Sequence, residues 1–260
     1  MEDKSVKIGS SPLDFLNGIT YGNLARHTTI DGGPRSGKTE LAMKILRQHY
    51  DHGGGFCYLS PREDQAVLDV VQGIDANLTA MRQIPDIGTL QGEATEAITA
   101  FIRGERNLFI TTGWSLAGSS QPSAILDAMY KISLGAYPIN RDVLPRILVI
   151  DEADFMSDAS MARLLTVARQ AHVAVITIFH YAIQHPATVA QSAVRILMGG
   201  LRPESADMWQ TLTGISIAAD MIPIGQAWVL LPDSGMPVIH EIWKGNRTRP
   251  TKASHTGLLN

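Results

Sequence analysis

A chain of 260 residues with 45% hydrophobic content holds enough apolar material for one α/β domain or two small ones. Its apolar runs, the longest being Ile147 to Ile150 and Val173 to Phe179, fall far short of the ~18 to 20 residues that cross a bilayer as a helix. A net charge of −3 excludes nucleic-acid binding by bulk electrostatics, so any such contact must be local. The single cysteine, Cys57, excludes an internal disulfide and suits a reducing compartment; it reads as a core residue on a strand, with a reactive thiol as the alternative. Met1-Glu2-Asp3-Lys4-Ser5 lacks the charged-then-apolar layout of an export signal, so a cytoplasmic location is expected.

Residues 1–24 contain Pro12, Asn17, Gly18, Gly22 and Asn23 and read as an irregular lead-in. His27 to Asp31 is short and β-branched and reads as a strand. It runs into Gly32-Gly33-Pro34-Arg35-Ser36-Gly37-Lys38-Thr39, which fits the phosphate-loop pattern G-x-x-x-x-G-K-[ST]. Glycines let backbone N–H groups converge on phosphate oxygens, and the following helix adds the positive end of its dipole. In such a loop Lys38 reaches the β- and γ-phosphates and the Thr39 hydroxyl holds Mg²⁺. Thr39 to His49 carries Leu41, Ala42, Ile45 and Leu46 at helical spacing before Gly53-Gly54-Gly55 stops it.

Phe56 to Ser60 reads as the next strand, followed by Pro61 and a helix with an acidic start reaching Gln72. Residues 73–105 are broken by Gly73, Pro85 and Gly88, with a helix expected over Ala94 to Ile102. Asn107 to Thr112 is a strand that ends in Gly113-Trp114-Ser115 and a Gly/Ser-rich loop, on the side where parallel α/β sheets place ligands. Pro122 to Leu134 reads as a helix, and Gly135 to Pro145 as a turn-rich connection.

Arg146 to Glu152 is an apolar strand closing on two adjacent carboxylates, the form of a Walker B element. Asp151 would hold Mg²⁺ and Glu152 would orient and deprotonate the attacking water. Ser157 or Asp158 caps a helix whose Met161, Leu164, Leu165 and Ala168 form a core stripe, with Arg163 and Arg169 on the same helix. His172 to His180 reads as a further buried strand, with His180 placed at its carboxyl end as a candidate γ-phosphate sensor. Val194 to Met198 is an expected strand and Glu204 to Leu212 an expected helix. A hairpin of Gly225 to Leu231 and Pro237 to Trp243 across Pro232-Asp233-Ser234-Gly235 would extend the sheet. Lys244, Arg247, Arg249 and Lys252 give residues 244–260 a basic character, as a solvated tail or a local contact. The eight histidines lack zinc-site spacing.

Two strands between the phosphate loop and the Asp-Glu strand give the layout of ATPases with an additional strand and a catalytic glutamate. The expected fold is therefore a three-layer, RecA-like α/β P-loop NTPase with a mostly parallel sheet and a C-terminal β-hairpin, occupying residues 25–243. The base-reading Asn-Lys-x-Asp of a GTPase is absent. The Asp-Glu-Ala-Asp string at Asp151 to Asp154 does not make a two-lobed helicase, since one lobe fills the chain.

On Gly32 to Thr39, Ile147 to Glu152, Leu164 to Thr177 and Gly225 to Leu231, the chain resembles the FtsK/HerA superfamily of nucleic-acid-pumping ATPases. It departs from that family by carrying His180 where glutamine is usual. The resemblance implies a ring, commonly a hexamer, in which an arginine from one subunit completes the next subunit's site; Arg169 is similar in position to such a residue, with Arg163 and Arg195 as competitors. It also implies ATP and Mg²⁺ as ligands, and double-stranded DNA gripped at its phosphates. The small size favours a viral genome-packaging ATPase with a capsid partner, placed in the host cytoplasm or at the virion vertex. A nucleotide-dependent assembly or loader switch remains open, as does a conjugation, secretion or filamentous-phage assembly ATPase with a membrane partner.

Overall fold

The computed structural model describes residues 12–13, 16–82, 92–112, 121–136, 144–231 and 236–242. A short antiparallel pair, β1 (Pro12–Leu13) and β2 (Leu16–Thr20), and one helical turn, α1 (Tyr21–Leu24), precede the main sheet. Residues 12–13 and 16–24 thus form regular elements that their glycines and asparagines do not predict, and Leu24 is fully buried in the core.

From β3 (Thr28–Asp31) the chain passes through α2 (Lys38–Asp51), β4 (Phe56–Ser60), α3 (Gln65–Gln72), β5 (Thr79–Met81), α4 (Glu93–Arg103) and β6 (Leu108–Thr111). It continues through α5 (Gln121–Gly135), β7 (Arg146–Ile150), α6 (Asp158–Ala168), β8 (Val173–Phe179), α7 (Pro186–Gln191) and β9 (Val194–Met198). It closes with α8 (Pro203–Thr213), β10 (Gln226–Leu230) and β11 (Val238–Glu241).

Nine strands form one sheet in the order β11-β10-β9-β3-β8-β7-β4-β6-β5. Pairing is parallel from β9 to β5 and antiparallel at β9-β10 and β10-β11, so the late strands extend the sheet as the expected hairpin. β8 lies between β3 and β7; it is the additional strand that separates the phosphate-loop strand from the Asp-Glu strand.

Strands buried on both faces need apolar residues at every position, and β4, β6, β7 and β8 are buried throughout. The two-residue period divides them between two cores. Leu148 and Ile150 pack with α4, α5, α6 and Trp209, while Ile147 and Val149 pack with α2 and α3. Cys57 belongs to the first core, and burial pushes its thiol far above the ordinary range, as its reading as a core residue requires.

Asp64 caps α3, accepting from the N–H groups of Ala66 and Val67, and Ser157 caps α6 by accepting from Ser160. Two further elements, within the main domain, lacked a sequence signal. β5 is three residues long, Thr-Ala-Met, and exists through parallel pairing with β6; α7 starts on Pro186, with Asp158 accepting from the N–H groups of Ala187 and Thr188. The loop from Gly113, most of the connection after Gly135, the hairpin turn and the basic tail lie outside the described residues.

Two buried histidines set an acid limit on stability. His27 Nδ1 accepts the Val175 N–H at 3.1 Å, which leaves Nε2–H to donate to Leu165 O at 2.9 Å and holds the ring neutral. Burial lowers its pKa from 6.5 to about 4, and burial does the same to His49. Between those values the unfolded chain binds more protons, so stability falls as pH drops from 6.5 to 4, by about 3 kcal/mol for each ring. Asp31, which burial raises from 3.8 to about 6, acts in the opposite sense over the lower part of the window and offsets roughly one histidine. Denaturant titrations across this window should show a net loss of about 3 kcal/mol from the three groups, and a flat profile would contradict it.

Candidate active site

Every parallel strand delivers its carboxyl end to one rim of the sheet, and the phosphate loop and the Asp151-Glu152 pair are gathered there by that geometry. At the end of β3 the backbone turns through Arg35 (φ 62°) and Gly37 (φ 96°) into the 14-residue helix α2, whose amino end faces the loop. The two leading glycines answer a packing demand as well as a ligand. The Gly33 N–H donates to Gly199 O at 3.1 Å, and a Cβ on Gly33 would stand 2.3 Å from Gly200 O. A Cβ on Gly32 would stand 2.9 Å from the Met198 Cβ, so the end of β9 is pressed against the loop. Pro34 and Arg35 are exposed, while Ser36 is buried with its Oγ unpartnered.

Lys38 is only 4% exposed. Its Nζ donates to Gly32 O and Gly33 O, both at 2.7 Å, and to His180 Nδ1 at 2.9 Å. Burial lowers its pKa to about 8, with Asp31, Asp151, Asp154 and Glu152 drawing it back up. His180 is held below the ordinary histidine range by burial and then by the Lys38 charge, so the neutral ring offers Nδ1 as an acceptor. Its own N–H donates to Asp154 Oδ2 at 2.7 Å.

The Thr39 hydroxyl donates to Asp151 Oδ2 at 3.2 Å, the Tyr58 hydroxyl donates to the same oxygen, and the Glu152 N–H donates to Asp151 Oδ1 at 2.8 Å. Glu152 itself lies in the left-handed region at φ 47°, which turns the chain sharply off β7. Arg62 Nε lies 3.0 Å from Glu152 Oε2, a charge contact without a donor aligned on that oxygen. Burial raises the Glu152 pKa, Arg62 opposes the rise, and Asp151 and Asp154 reinforce it. Together Arg35, Lys38, Thr39, Arg62, Asp151, Glu152 and His180 line a cavity of about 540 Å³.

This donor set fits a small hard cation. Thr39 and Asp151 present oxygens side by side at the cavity wall, and among the described residues no cluster of three metal-ligating side chains exists that would cage a metal without phosphate and water.

No family model and no curated protein sequence matches the chain. Solved structures do. The genome-packaging NTPase B204 from Sulfolobus turreted icosahedral virus 2, bound to ATPγS, superposes with a TM-score of 0.54 at 12% identity over 82% of this chain and 95% of that one. The bacterial conjugative coupling protein TrwB, unbound, gives 0.59 at 13% identity over 87% of each chain. The plasmid protein TrwB with the GTP analogue GDPNP gives 0.59 at 14% identity over 94% and 91%. The fold is therefore the one shared by these packaging and coupling NTPases, a mostly parallel α/β sheet of the P-loop type.

Within this fold the expected site residues separate into two groups. Lys38, Thr39, Asp151, Glu152 and His180 meet around one cavity, with Gly32 to Gly37 forming its phosphate-loop side. Arg169 does not join them. It caps the carboxyl end of α6, ahead of β8, and β8 is a seven-residue strand parallel to β3, so Arg169 stands roughly 20 Å away at the opposite rim. Arg163 is exposed and pairs with Asp127 at 2.8 Å, and Arg195 lies on β9 over the Trp209 ring at 6.0 Å.

Four further residues complete the site. Arg62 and Tyr58 come from β4 and its exit, and the register Leu59↔Ile150 sets them beside Asp151 and Glu152. Asp154 holds His180, and Asp31, beneath the loop, accepts from the Trp209 indole at 2.7 Å. Arg62 and Asp154 follow strand ends, Asp31 closes a strand and Tyr58 lies inside one, so no local pattern in the sequence singled them out.

The backbone contact behind Gly33 yields a direct test. Gly33→Ala must displace either the loop or Gly200, so a loss of about 1–3 kcal/mol is expected in denaturant titration, together with loss of binding of a fluorescent ATP analogue. A variant with unchanged stability and affinity would show that the loop is not braced in this way.

Proposed function

We propose that this chain is a Mg²⁺-dependent ATPase that moves double-stranded DNA, as in the packaging of a viral genome. The observation that carries the reading is the convergence of Lys38, Thr39, Asp151, Glu152 and His180 on one cavity in a fold shared with a packaging NTPase bound to ATPγS. Residues 25–243 form the ATPase domain in this reading.

The loop from Gly32 to Thr39 would cradle the phosphates, with Lys38 exchanging the Gly32 and Gly33 carbonyls for β- and γ-phosphate oxygens. Thr39 and Asp151 would hold Mg²⁺, which when bound neutralises charge developing on the phosphates. Glu152 is the general base. It takes a proton from water as the oxygen attacks the γ-phosphorus and the bond to the bridging oxygen breaks, leaving ADP and phosphate. His180 Nδ1 orients Lys38 and senses whether that ammonium is engaged by phosphate.

Since Arg169 cannot reach its own chain's cavity, its proposed part is to complete a neighbour's site in a homo-oligomeric ring, commonly a hexamer. The polymer would pass through the ring held by its phosphates without base reading. A capsid protein would be the partner in packaging, with the protein in the cytoplasm or at the virion vertex. TrwB is a conjugative coupling protein of the same fold, so conjugation is the second reading and capsid or relaxase genes beside this one would decide between them.

Turnover should fall at least a hundredfold in Glu152→Gln and be lost in Lys38→Ala, and duplex DNA should accelerate the unsubstituted protein more than single-stranded DNA or RNA does. Unchanged turnover in Glu152→Gln would sink the ATPase reading. A rate indifferent to DNA, but raised by a protein partner, would instead favour an assembly switch.

Arg62 gives an independent prediction on the base. Burial raises the Glu152 pKa and Arg62 holds it down, so Arg62→Ala must raise it further. The acid limb of the pH–rate profile should move to higher pH, because the base must be ionised to act; an unmoved limb would remove Glu152 from that role.

A further inference from the structure

In-line displacement fixes where the rest of a bound nucleotide must lie. The attacking water, the γ-phosphorus and the bridging oxygen have to be roughly collinear, so the leaving diphosphate and its nucleoside point away from the base that activates the water. Glu152 follows β7 and His180 follows β8, both to one side of β3, from which the phosphate loop departs. The nucleoside is thereby directed to the other side, over the ends of β9 and β10.

That side is built of bare backbone followed by an apolar turn. A Cβ on Gly33 would stand 2.3 Å from Gly200 O, and one on Gly199 would stand 2.8 Å from the Ile224 nitrogen. The phosphate loop, the glycine pair after β9 and the turn before β10 are therefore three backbones in contact, and the middle one carries no side chains. Because β10 runs antiparallel to β9, its amino end brings Ile224 to the same rim as the phosphate loop. Two strand spacings separate β3 from β10, on the order of 10 Å, the scale of the step from the middle of a triphosphate to a nucleobase.

The turn itself is held. Ile222 is buried in the core that contains Trp209, and the Gln226 N–H donates to Pro223 O at 3.1 Å. On this fixed backbone Ile224 is 68% exposed, and Met221 and Pro223 are exposed beside it. Apolar side chains displayed together at the rim of a ligand cleft have the character of a contact surface.

We propose that Met221, Pro223 and Ile224 form a platform that takes the nucleobase of the bound nucleoside triphosphate by its apolar face, with the ribose over Gly199 and Gly200. Isoleucine and proline side chains carry no hydrogen-bonding atom, and the Met221 sulfur is already engaged by the Ala218 N–H at 3.1 Å. The platform therefore adds affinity without reading a base edge. It rests on the nucleotide reading above, and it lies beyond the loop and carboxylates which that reading uses.

Calorimetric titration of the full chain with Mg²⁺, against the analogue AMPPCP and against inorganic triphosphate, separates nucleoside contacts from phosphate contacts. Ile224→Ala changes an exposed position, so the melting temperature should hold. Its affinity for AMPPCP should fall roughly three- to tenfold with triphosphate affinity unchanged, and Met221→Ala should act in the same direction. In ATP turnover the loss should appear in KM with kcat unchanged, because contact with the nucleoside is the same in the ground state and the transition state.

Equal losses for AMPPCP and triphosphate would overturn the platform and assign Ile224 to bracing Gly199 and the phosphate loop. Unchanged affinity for both would overturn it as well, and a shift toward monomer in sedimentation of that variant would give the surface to a neighbouring copy. If the unsubstituted protein binds neither ligand, the ATPase reading itself fails and the platform goes with it.

Discussion

An ammonium group buried to 4% exposure has to be given acceptors, and the way Lys38 is given them shapes the candidate site. Two of its acceptors are the carbonyls of Gly32 and Gly33, which the loop can aim inward because neither residue carries a Cβ that would strike the end of β9. The third is His180, at the end of β8. One cation therefore ties together the loop after β3, the exit of β8 and, through Asp154, the turn after β7. The carboxylates around it restore part of the charge preference that burial removes, which leaves the ammonium basic enough to meet phosphate and not so solvated that it stays away.

Placing β8 between β3 and β7 is what makes this possible. Had β7 paired with β3 directly, Asp151 would lie one strand nearer to the loop and no strand end would be left to carry His180 between them. The inserted strand opens a gap wide enough for a cavity of about 540 Å³ while keeping Thr39 and Asp151 in hydrogen-bond contact across it. Asp31 forms the floor. Its carboxyl is buried, raised to about 6, and held by Trp209, so a helix that arrives much later in the chain supports the strand from which the loop departs.

Much of this was legible in the sequence because it is local. Gly32 to Thr39 and Ile147 to Glu152 are contiguous runs whose chemistry follows from residue type, and the buried strands announce themselves as uninterrupted apolar segments. His180 was legible for the weaker reason that it ends such a strand. Arg62 and Tyr58 were not, because their nearness to Asp151 and Glu152 depends on β4 pairing with β7, a fact of strand order that no short segment contains. β5 was invisible for a related reason: Thr79 to Met81 has neither an apolar run nor alternation, and only its pairing with β6 makes it a strand. The fold of α7 likewise depends on Asp158, nearly thirty residues earlier in the chain, accepting from its first N–H groups.

Parallel strands also impose a division of labour between the rims. Residues after the strands, such as Lys38, Asp151, Glu152 and His180, share one end, and residues before them, such as Arg26 and Arg169, share the other. A seven-residue strand holds the two groups roughly 20 Å apart, beyond the reach of any side chain. Within a single copy the arginine rim and the phosphate loop therefore cannot act on the same phosphate. Trp209 touches both groups, donating to Asp31 beneath the loop while the Arg195 guanidinium lies 6.0 Å from its ring. A displacement of Arg195 would bear on that ring, and through the indole N–H on the carboxyl beneath the loop. That chain of contacts gives the two rims a physical connection inside one subunit.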